Sequence, residues 1–136
     1  MTQAAMPKGD VWTYDDFAPG LALKTVTVVL DQAKLDLWAQ VYGSVDGATL
    51  PQGLLVSAMV EAFIASGQPR PKGNIHASQS LRFTGVCAAL NDELVVTASC
   101  ADKEIKKDRK WVTIRTEGTI GGQVVCHGDF LIIWKL

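Results

Sequence analysis

Histidine and cysteine are scarce in this sequence, which has two histidines and three cysteines in 136 residues. Neither residue type shows the spacing of a zinc site, and an odd number of cysteines argues against a disulfide framework. Each cysteine falls in an apolar run, which predicts buried free thiols. The three cysteines are Cys87, Cys100 and Cys126. The sequence therefore predicts buried free thiols and no metal site.

An excess of charge of either sign is also lacking, because 13 basic residues face 14 acidic ones. A net charge of −1 argues against nucleic-acid binding, which usually needs a clearly basic surface. No glycine-rich phosphate loop follows a strand pattern, and no Gly-x-Ser-x-Gly elbow is present. The N-terminal segment has no long apolar stretch after its charges, so a signal peptide is not indicated and a cytoplasmic protein is expected.

Length and composition are those of one ordinary globular domain, with 48% hydrophobic and 20% charged residues. The first residues are small and polar, so we expect a flexible N-terminus over residues 1–11. No linker or repeat divides the remainder. Residues 12–136 are therefore expected to form a single domain.

Residues 49–66 form a long apolar stretch that predicts a helix. Thr49 and Gln52 have the spacing of a capping box, and Pro51 between them suits the first helical turn. The following residues are apolar on nearly every face, which predicts a helix buried in a core. Polar residues interrupt the stretch, so we do not interpret it as a membrane span.

One row of this helix is different, because Gly53, Ser57 and Glu61 recur every four residues. A buried carboxylate without a partner is costly, so Glu61 is expected at a wet or paired position. Two interpretations remain open. The row either meets solvent or a dimer partner, or it lines a site in which Glu61 acts and Gly53 and Ser57 contact the substrate.

A strand and a first helix are predicted ahead of this stretch. Residues 21–30 are rich in β-branched side chains, which favour a strand. Asp31 suits the N-cap of the helix that follows, and Gly43 suits its end. Apolar residues at helical spacing predict a packed stripe on this helix, with Lys34 outside: Ala33, Leu37, Trp38, Val41 and Tyr42.

The second half of the chain predicts four strands, over residues 76–89, 94–101, 111–120 and 124–134. A charged hairpin end over residues 102–110 joins two of them, and Gly121-Gly122 suits a tight turn between the last two. Helices followed by a run of strands indicate an α+β fold. We expect a curved antiparallel sheet wrapped around the long central helix.

Three parts of the chain resemble the hot-dog fold, and within it the MaoC-like dehydratase and (R)-specific enoyl-CoA hydratase group. YDDFAPG, a strand and DQAKLDLWAQVYG resemble the opening strand and first helix of that group. PQGLLVSAMVEAF resembles its central helix, and LRF with the later GQVVCHG resembles its strand series. The resemblance implies a homodimer that binds an acyl thioester, carried on coenzyme A or an acyl carrier protein. Coenzyme A would enter only as part of the substrate, so no cofactor is expected.

The resemblance also implies where the chemistry would lie. Hydratases of the group use an Asp and a His on the loop between the two helices, and an N–H at the central helix start polarises the thioester carbonyl. In this sequence Asp46 is the single acid of that loop, which has no histidine. Gln52 stands where the group often has histidine, and Gly53 keeps the helix-start N–H. The implied hydratase-like site is therefore atypical.

The PaaI-like thioesterases of the same superfamily offer a second interpretation. In them a His-Gly-Gly helix start is followed, nine residues after the histidine, by an Asp or Glu that attacks the thioester or activates water. Gln52-Gly53 followed by Glu61 reproduces this spacing, with a glutamine that can donate a hydrogen bond but cannot shuttle a proton. A third interpretation is a non-catalytic acyl-CoA-binding or assembly subunit.

Basic residues in two loops are candidate contacts for the phosphates of coenzyme A. Arg70 and Lys72 follow the central helix, and residues 103–110 hold further lysines. The alternative is that both loops are simply solvated. His127 and Asp129 lie on one strand face, where they could form an oriented imidazole or an ordinary surface pair.

Overall fold

A five-stranded antiparallel sheet and two helices make up the computed structural model, which describes residues 5–45 and 49–136. The strand order across the sheet is β1-β3-β4-β5-β2, and every neighbouring pair is antiparallel. The predicted α+β architecture is confirmed. In chain order the elements are a 3-10 turn (Tyr14–Asp16), β1 (Ala22–Val29), α1 (Gln32–Tyr42), α2 (Gln52–Ala65), β2 (Ile75–Phe83), β3 (Glu93–Lys106), β4 (Arg109–Ile120) and β5 (Gln123–Trp134).

Helix α2 packs against the inner face of the sheet, as its apolar composition predicts. On β3 and β4 buried and more exposed residues alternate, because successive side chains point to opposite faces. At Gly118 a Cβ would lie 3.1 Å from Met59 Sδ and from Leu94 Cδ1, so glycine allows the helix to approach the sheet closely. Six residues of α2 are buried: Leu54, Leu55, Ala58, Met59, Ala62 and Phe63.

The ends of α1 are those that the sequence predicts, whereas the start of α2 is capped differently. The Asp31 carboxylate accepts a hydrogen bond from the Lys34 N–H at 3.1 Å, and Gly43 follows α1 with a φ of +94°, as predicted. The capping box at the start of α2 was a wrong prediction. Pro51 is the N-cap there, with no side-chain cap bond, so Thr49 lies too early in the chain to serve.

Two strand boundaries also differ from the sequence patterns. Strand β2 ends at Phe83, six residues before the predicted end. The Thr84 N–H and hydroxyl still donate to the Val125 and Val124 carbonyls, at 3.1 and 2.7 Å, and Gly85 then turns the chain with a φ of +93°. Strand β3 instead continues through the charged segment to Lys106. Lys107 and Asp108 make the hairpin turn with φ of 52° and 59°, since such turns need positive φ at both central residues.

An aromatic cluster anchors the N-terminal segment to the rest of the chain. The rings of Trp12 and Phe17 are 4.9 Å apart, and those of Phe17 and Trp134 are 4.8 Å apart. The Trp134 indole N–H donates to the Trp12 carbonyl at 2.7 Å, and the Trp12 indole N–H donates to the Gln68 carbonyl at 3.1 Å. Both indole donors are therefore satisfied inside the core.

The cysteines divide into two kinds. Cys100 and Cys126 are buried free thiols, as predicted, and burial raises the pKa of both. Cys87 is exposed, so its predicted burial is wrong: it lies on the loop between β2 and β3 rather than on a strand facing α2. In the described parts of the chain, no helix has the length and apolar character needed to cross a membrane.

Candidate functional site

An open groove of about 270 Å³ runs between α1 and α2. Helix α1 lies over α2 without burying any of its own residues, so the space between the two helices stays accessible. Seven of the ten lining side chains are apolar or aromatic, and the other three are a lysine, a serine and a glutamate. The lining residues are Val28, Lys34, Leu37, Trp38, Val41, Tyr42, Leu54, Ser57, Ala58 and Glu61.

The small and polar row of α2 faces this groove. Ser57 and Glu61 line it, and both are exposed. Gly53, at the head of the same row, lies against the Trp38 ring, so a Cβ built at Gly53 would overlap the indole. Glycine at this position therefore allows the closest contact between the two helices. The structure brings two of the three row residues into one accessible site.

Helix α1 supplies the groove residues that the sequence interpretation missed. Its apolar stripe was expected to be packed, yet Leu37 is 63%, Val41 is 73% and Tyr42 is 70% exposed. The expected stripe faces the groove because α1 contacts α2 rather than the sheet. A facing row headed by glycine was the available signal, since a small residue on one helix allows an aromatic ring on the other to sit close.

The polar lining residues of α2 lie away from its start. Trp38 contacts Gly53 in the first turn of α2, whereas Ser57 and Glu61 lie one and two turns further along that helix, and Lys34 of α1 also lines the groove. The Lys34 Nζ lies 3.8 Å from Asp31, a weak pair on the surface. Among the described residues, Glu61 has no ion-pair or hydrogen-bond partner for its carboxylate. A free carboxylate at this position can accept a proton from water.

The start of α2 is separate from Glu61. Gln52 is exposed as the first helical residue, while the Leu54 N–H bonds back to the Pro51 carbonyl at 3.1 Å. Gly53 and Glu61 are eight residues apart, which is about 12 Å along a helix axis. One thioester carbonyl therefore cannot touch both groups of a single protomer. Asp46, the candidate acid of the preceding loop, lies outside the described residues.

Arg70 caps the C-terminal end of α2. Its guanidinium donates to the Phe63 carbonyl and, at 2.8 Å, to the Ser66 carbonyl, both in the last turn of the helix, where carbonyls lack their usual helical partners. The same group lies 4.7 Å from the Phe63 ring centroid and 5.6 Å from that of Trp134. Burial lowers the pKa of Arg70 to about 10. These contacts give Arg70 a structural role, and its phosphate contact stays a prediction, as does that of exposed Lys72.

Neither histidine lines the α1–α2 groove. His76 lies on the edge strand β2, with its ring 5.1 Å from the Phe63 ring. His127 Nδ1 is 3.8 Å from the Glu117 carboxylate on the outer face of the sheet.

The Asp129 carboxylate does not orient the His127 imidazole, because Arg115 binds both of its oxygens, at 2.9 and 3.2 Å. These side chains border a second, polar groove on the outer face of the sheet. The described residues contain no group of three potential metal ligands.

Both the sequence and the fold of this chain are similar to those of known proteins. The chain is 30% identical over 84 residues to an (R)-specific enoyl-CoA hydratase of Rhodospirillum rubrum, a match over 62% of this chain and 56% of that protein. The match thus spans little more than half the length of that relative. A MaoC-like dehydratase from the same organism superposes with a TM-score of 0.70 and 17% identity, over 90% of this chain and 96% of that one.

The chain has the hot-dog fold. A thioesterase from Thermus thermophilus, solved with coenzyme A and zinc, shares this fold with a TM-score of 0.61 and 16% identity, over 82% of this chain and 78% of that one. The resemblance to the MaoC-like group that three sequence segments indicate is confirmed by these similarities. No protein-family model matches the chain.

Proposed function

We propose that this hot-dog chain binds an acyl thioester and that the acyl group lies in the α1–α2 groove. The observation that carries the proposal is the groove itself, with an apolar end beside Trp38 and an unpaired carboxylate, Glu61, at the other end. An acyl thioester has the matching chemistry, an apolar tail joined to one polar carbonyl. In this arrangement the tail points toward Trp38 and the carbonyl lies near Ser57 and Glu61.

The size of the groove suits an acyl group without its carrier. Pockets for drug-sized ligands hold about 300–1,000 Å³. The groove of about 270 Å³ lies just below that range, so the carrier would lie outside it. Exposed lysines such as Lys72 are then available to a phosphate-bearing carrier, coenzyme A or an acyl carrier protein.

The chemistry we favour is the addition of water to a 2-enoyl thioester. Glu61 would take a proton from water, the water oxygen would bond to C3, and the proton would return to C2. General-base help of this kind contributes about 10²- to 10⁴-fold in rate. The 30% identity to an (R)-specific enoyl-CoA hydratase supports this choice over other water chemistry. Whether Asp46, Gln52 or the Gly53 N–H takes part stays a prediction.

Thioester hydrolysis is a second candidate, favoured by the accessible, unpaired Glu61. Here the water oxygen bonds to the carbonyl carbon, the carbon–sulfur bond breaks, and the proton passes through Glu61 to the leaving thiolate. The Gly53 N–H could polarise that carbonyl only from a second copy, because the two groups are about 12 Å apart in one protomer.

We propose a homodimer that pairs along β2. This strand lies at the sheet edge, and seven of its nine residues are exposed. Unpaired backbone groups on an edge strand of this length are a ready site for pairing with another strand. A dimer is also the assembly in which hydrolysis by Glu61 could use the helix start of another copy.

Ligand binding can be tested by thermal shift with acyl-CoA esters, using free coenzyme A as the control. A ligand that binds the native state raises the melting temperature. We expect an acyl-CoA to raise it more than free coenzyme A. Ser57→Phe, which fills the groove, should remove the difference, whereas Ser99→Phe on the outer face of β3 should keep it. Equal shifts for both variants would contradict binding in the groove.

The reaction can be tested with 2-enoyl-CoA and saturated acyl-CoA as alternative substrates. Hydration consumes the conjugated double bond and releases no thiol, while hydrolysis releases free coenzyme A. Glu61→Gln should lower the active turnover at least about 100-fold, and Glu93→Gln, a matched change at an exposed strand residue, should not. Binding without turnover of either substrate would leave the chain as an acyl-CoA-binding subunit.

A further inference from the structure

Trp38 closes the apolar end of the α1–α2 groove, and we propose that its indole sets the length of acyl group that the groove accepts. This inference rests on the proposed function, because it assigns a specificity role within the same groove. The contacts of the ring carry the argument.

The ring covers the α2 backbone at the point where the row of Glu61 and Ser57 reaches Gly53. Trp38 lines the groove, but Gly53 behind it does not. A Cβ at Gly53 would overlap the indole, so the ring lies against the backbone of α2 with no gap between them. The row that begins at Glu61 and passes Ser57 therefore ends at this aromatic side chain.

Neighbouring side chains support the ring in this position. Tyr42, one turn further along α1, has its ring centroid 4.3 Å from that of Trp38 with an interplanar angle of 39°. Such aromatic pairs are more stable than their buried area alone implies. Contact with α2 on one side and Tyr42 on the other limits the movement of the indole. The end of an acyl tail would meet a fixed surface.

A fixed end wall has a measurable consequence for a series of ligands. Each methylene transferred from water into an apolar groove tightens binding about fourfold. The gain stops when the tail reaches the wall, because further carbons must stay in water or displace the ring. The affinity of the chain for straight-chain acyl-CoA esters should therefore rise with length and then level off.

The experiment is a calorimetric titration of saturated acyl-CoA esters from C2 to C12 into the full chain and three variants. Trp38→Ala removes the wall, Trp38→Phe shortens it, and Trp111→Ala makes the same loss of an indole on the outer sheet face. We expect levelling at a longer chain in Trp38→Ala, with about fourfold tighter binding for each added methylene. Trp38→Phe should give an intermediate limit, and Trp111→Ala the limit of the unaltered chain.

Two different results would overturn the inference, and they are distinguishable. If the unaltered chain binds acyl-CoA esters and both Trp38 variants level off at the same length as it does, Trp38 is not the wall and only this inference fails. If the unaltered chain binds no ester of any length, the proposed function fails and the inference fails with it. If Trp38→Ala does not fold, Trp38→Phe alone decides the outcome, because its affinity either levels off at the same acyl-chain length as that of the unaltered chain or at a longer one.

Discussion

Replacing Gly53 with alanine is expected to destabilise the chain, and to stabilise it once Trp38 has been removed. The added Cβ would overlap the Trp38 indole. Overpacking of this kind costs about 1–3 kcal/mol. Alanine also favours a helix over glycine by about 1 kcal/mol. The net loss expected for Gly53→Ala is therefore as much as about 2 kcal/mol.

In the Trp38→Ala background there is no overlap, so only the higher helix propensity of alanine over glycine remains. In that background Gly53→Ala should raise the free energy of unfolding by about 0.5–1 kcal/mol. The coupling between the two sites should thus be about 1–3 kcal/mol, within the range of residues in direct contact. Urea unfolding followed by circular dichroism measures all four chains of this double-mutant cycle.

The coupling energy between Gly53→Ala and Trp38→Ala tests whether the two residues are in contact. A coupling near zero, with Gly53→Ala changing stability equally in both backgrounds, would refute the contact between α1 and α2 at this point. It would also mean that Trp38 does not close the end of the groove. Ser99→Ala, on the outer face of β3, serves as a control that should show no coupling to Trp38→Ala.

Three further predictions concern parts of the fold away from the groove. Arg70→Lys should lower the free energy of unfolding by about 1–3 kcal/mol in urea, because the compact ammonium of lysine lacks the planar face that lies over the Phe63 and Trp134 rings and has fewer donors to divide between the helix-end carbonyls. Burial raises the pKa of Asp16, but hydrogen bonds from the Thr13 and Lys8 N–H groups outweigh it and hold that pKa below its usual value. The stabilisation is therefore present at neutral pH and lost as the pH falls below about 4, so the difference in melting temperature from Asp16→Asn should shrink there. A thiol reagent at a pH of about 8 should modify Cys87 quickly and the other two cysteines only after unfolding, whereas rapid reaction of all three would contradict the burial of Cys100 and Cys126.

Local chemistry explains why much of the fold is predictable from the sequence. Asp31 and Gly43 bound α1 because an acceptor side chain and a positive φ are needed at those positions whatever surrounds them. Gly121 and Gly122 likewise form the last hairpin turn. The apolar stretch of α2 predicts a buried helix because few other environments suit so many apolar side chains.

The features that were not predicted depend on contacts between distant parts of the chain. Arg70 follows a loop rich in proline and glycine, and only the folded chain shows that it turns back to bond the end of α2. Thr49 fits a capping pattern, but the backbone places Pro51 at the cap. The charged segment after Ala101 continues as a strand because β4 pairs with it up to Lys106.

The candidate site, too, could be predicted only in part from the sequence. Glu61 was expected at a wet or paired position, and the structure has it exposed beside an open groove. The other wall of that groove could not be predicted, because an apolar helical stripe that packs in a core has the same pattern as one that borders a groove. Only the contact between Trp38 and Gly53 shows where the two helices meet and where the groove ends.

Binding of the acyl group in the α1–α2 groove can be observed in a crystal structure with a thioether analogue of an acyl-CoA, which cannot be hydrolysed. We expect electron density for the acyl tail between the two helices, with its end against Trp38 and its carbonyl side near Glu61. Density for the tail elsewhere, with the groove unoccupied, would contradict this expectation.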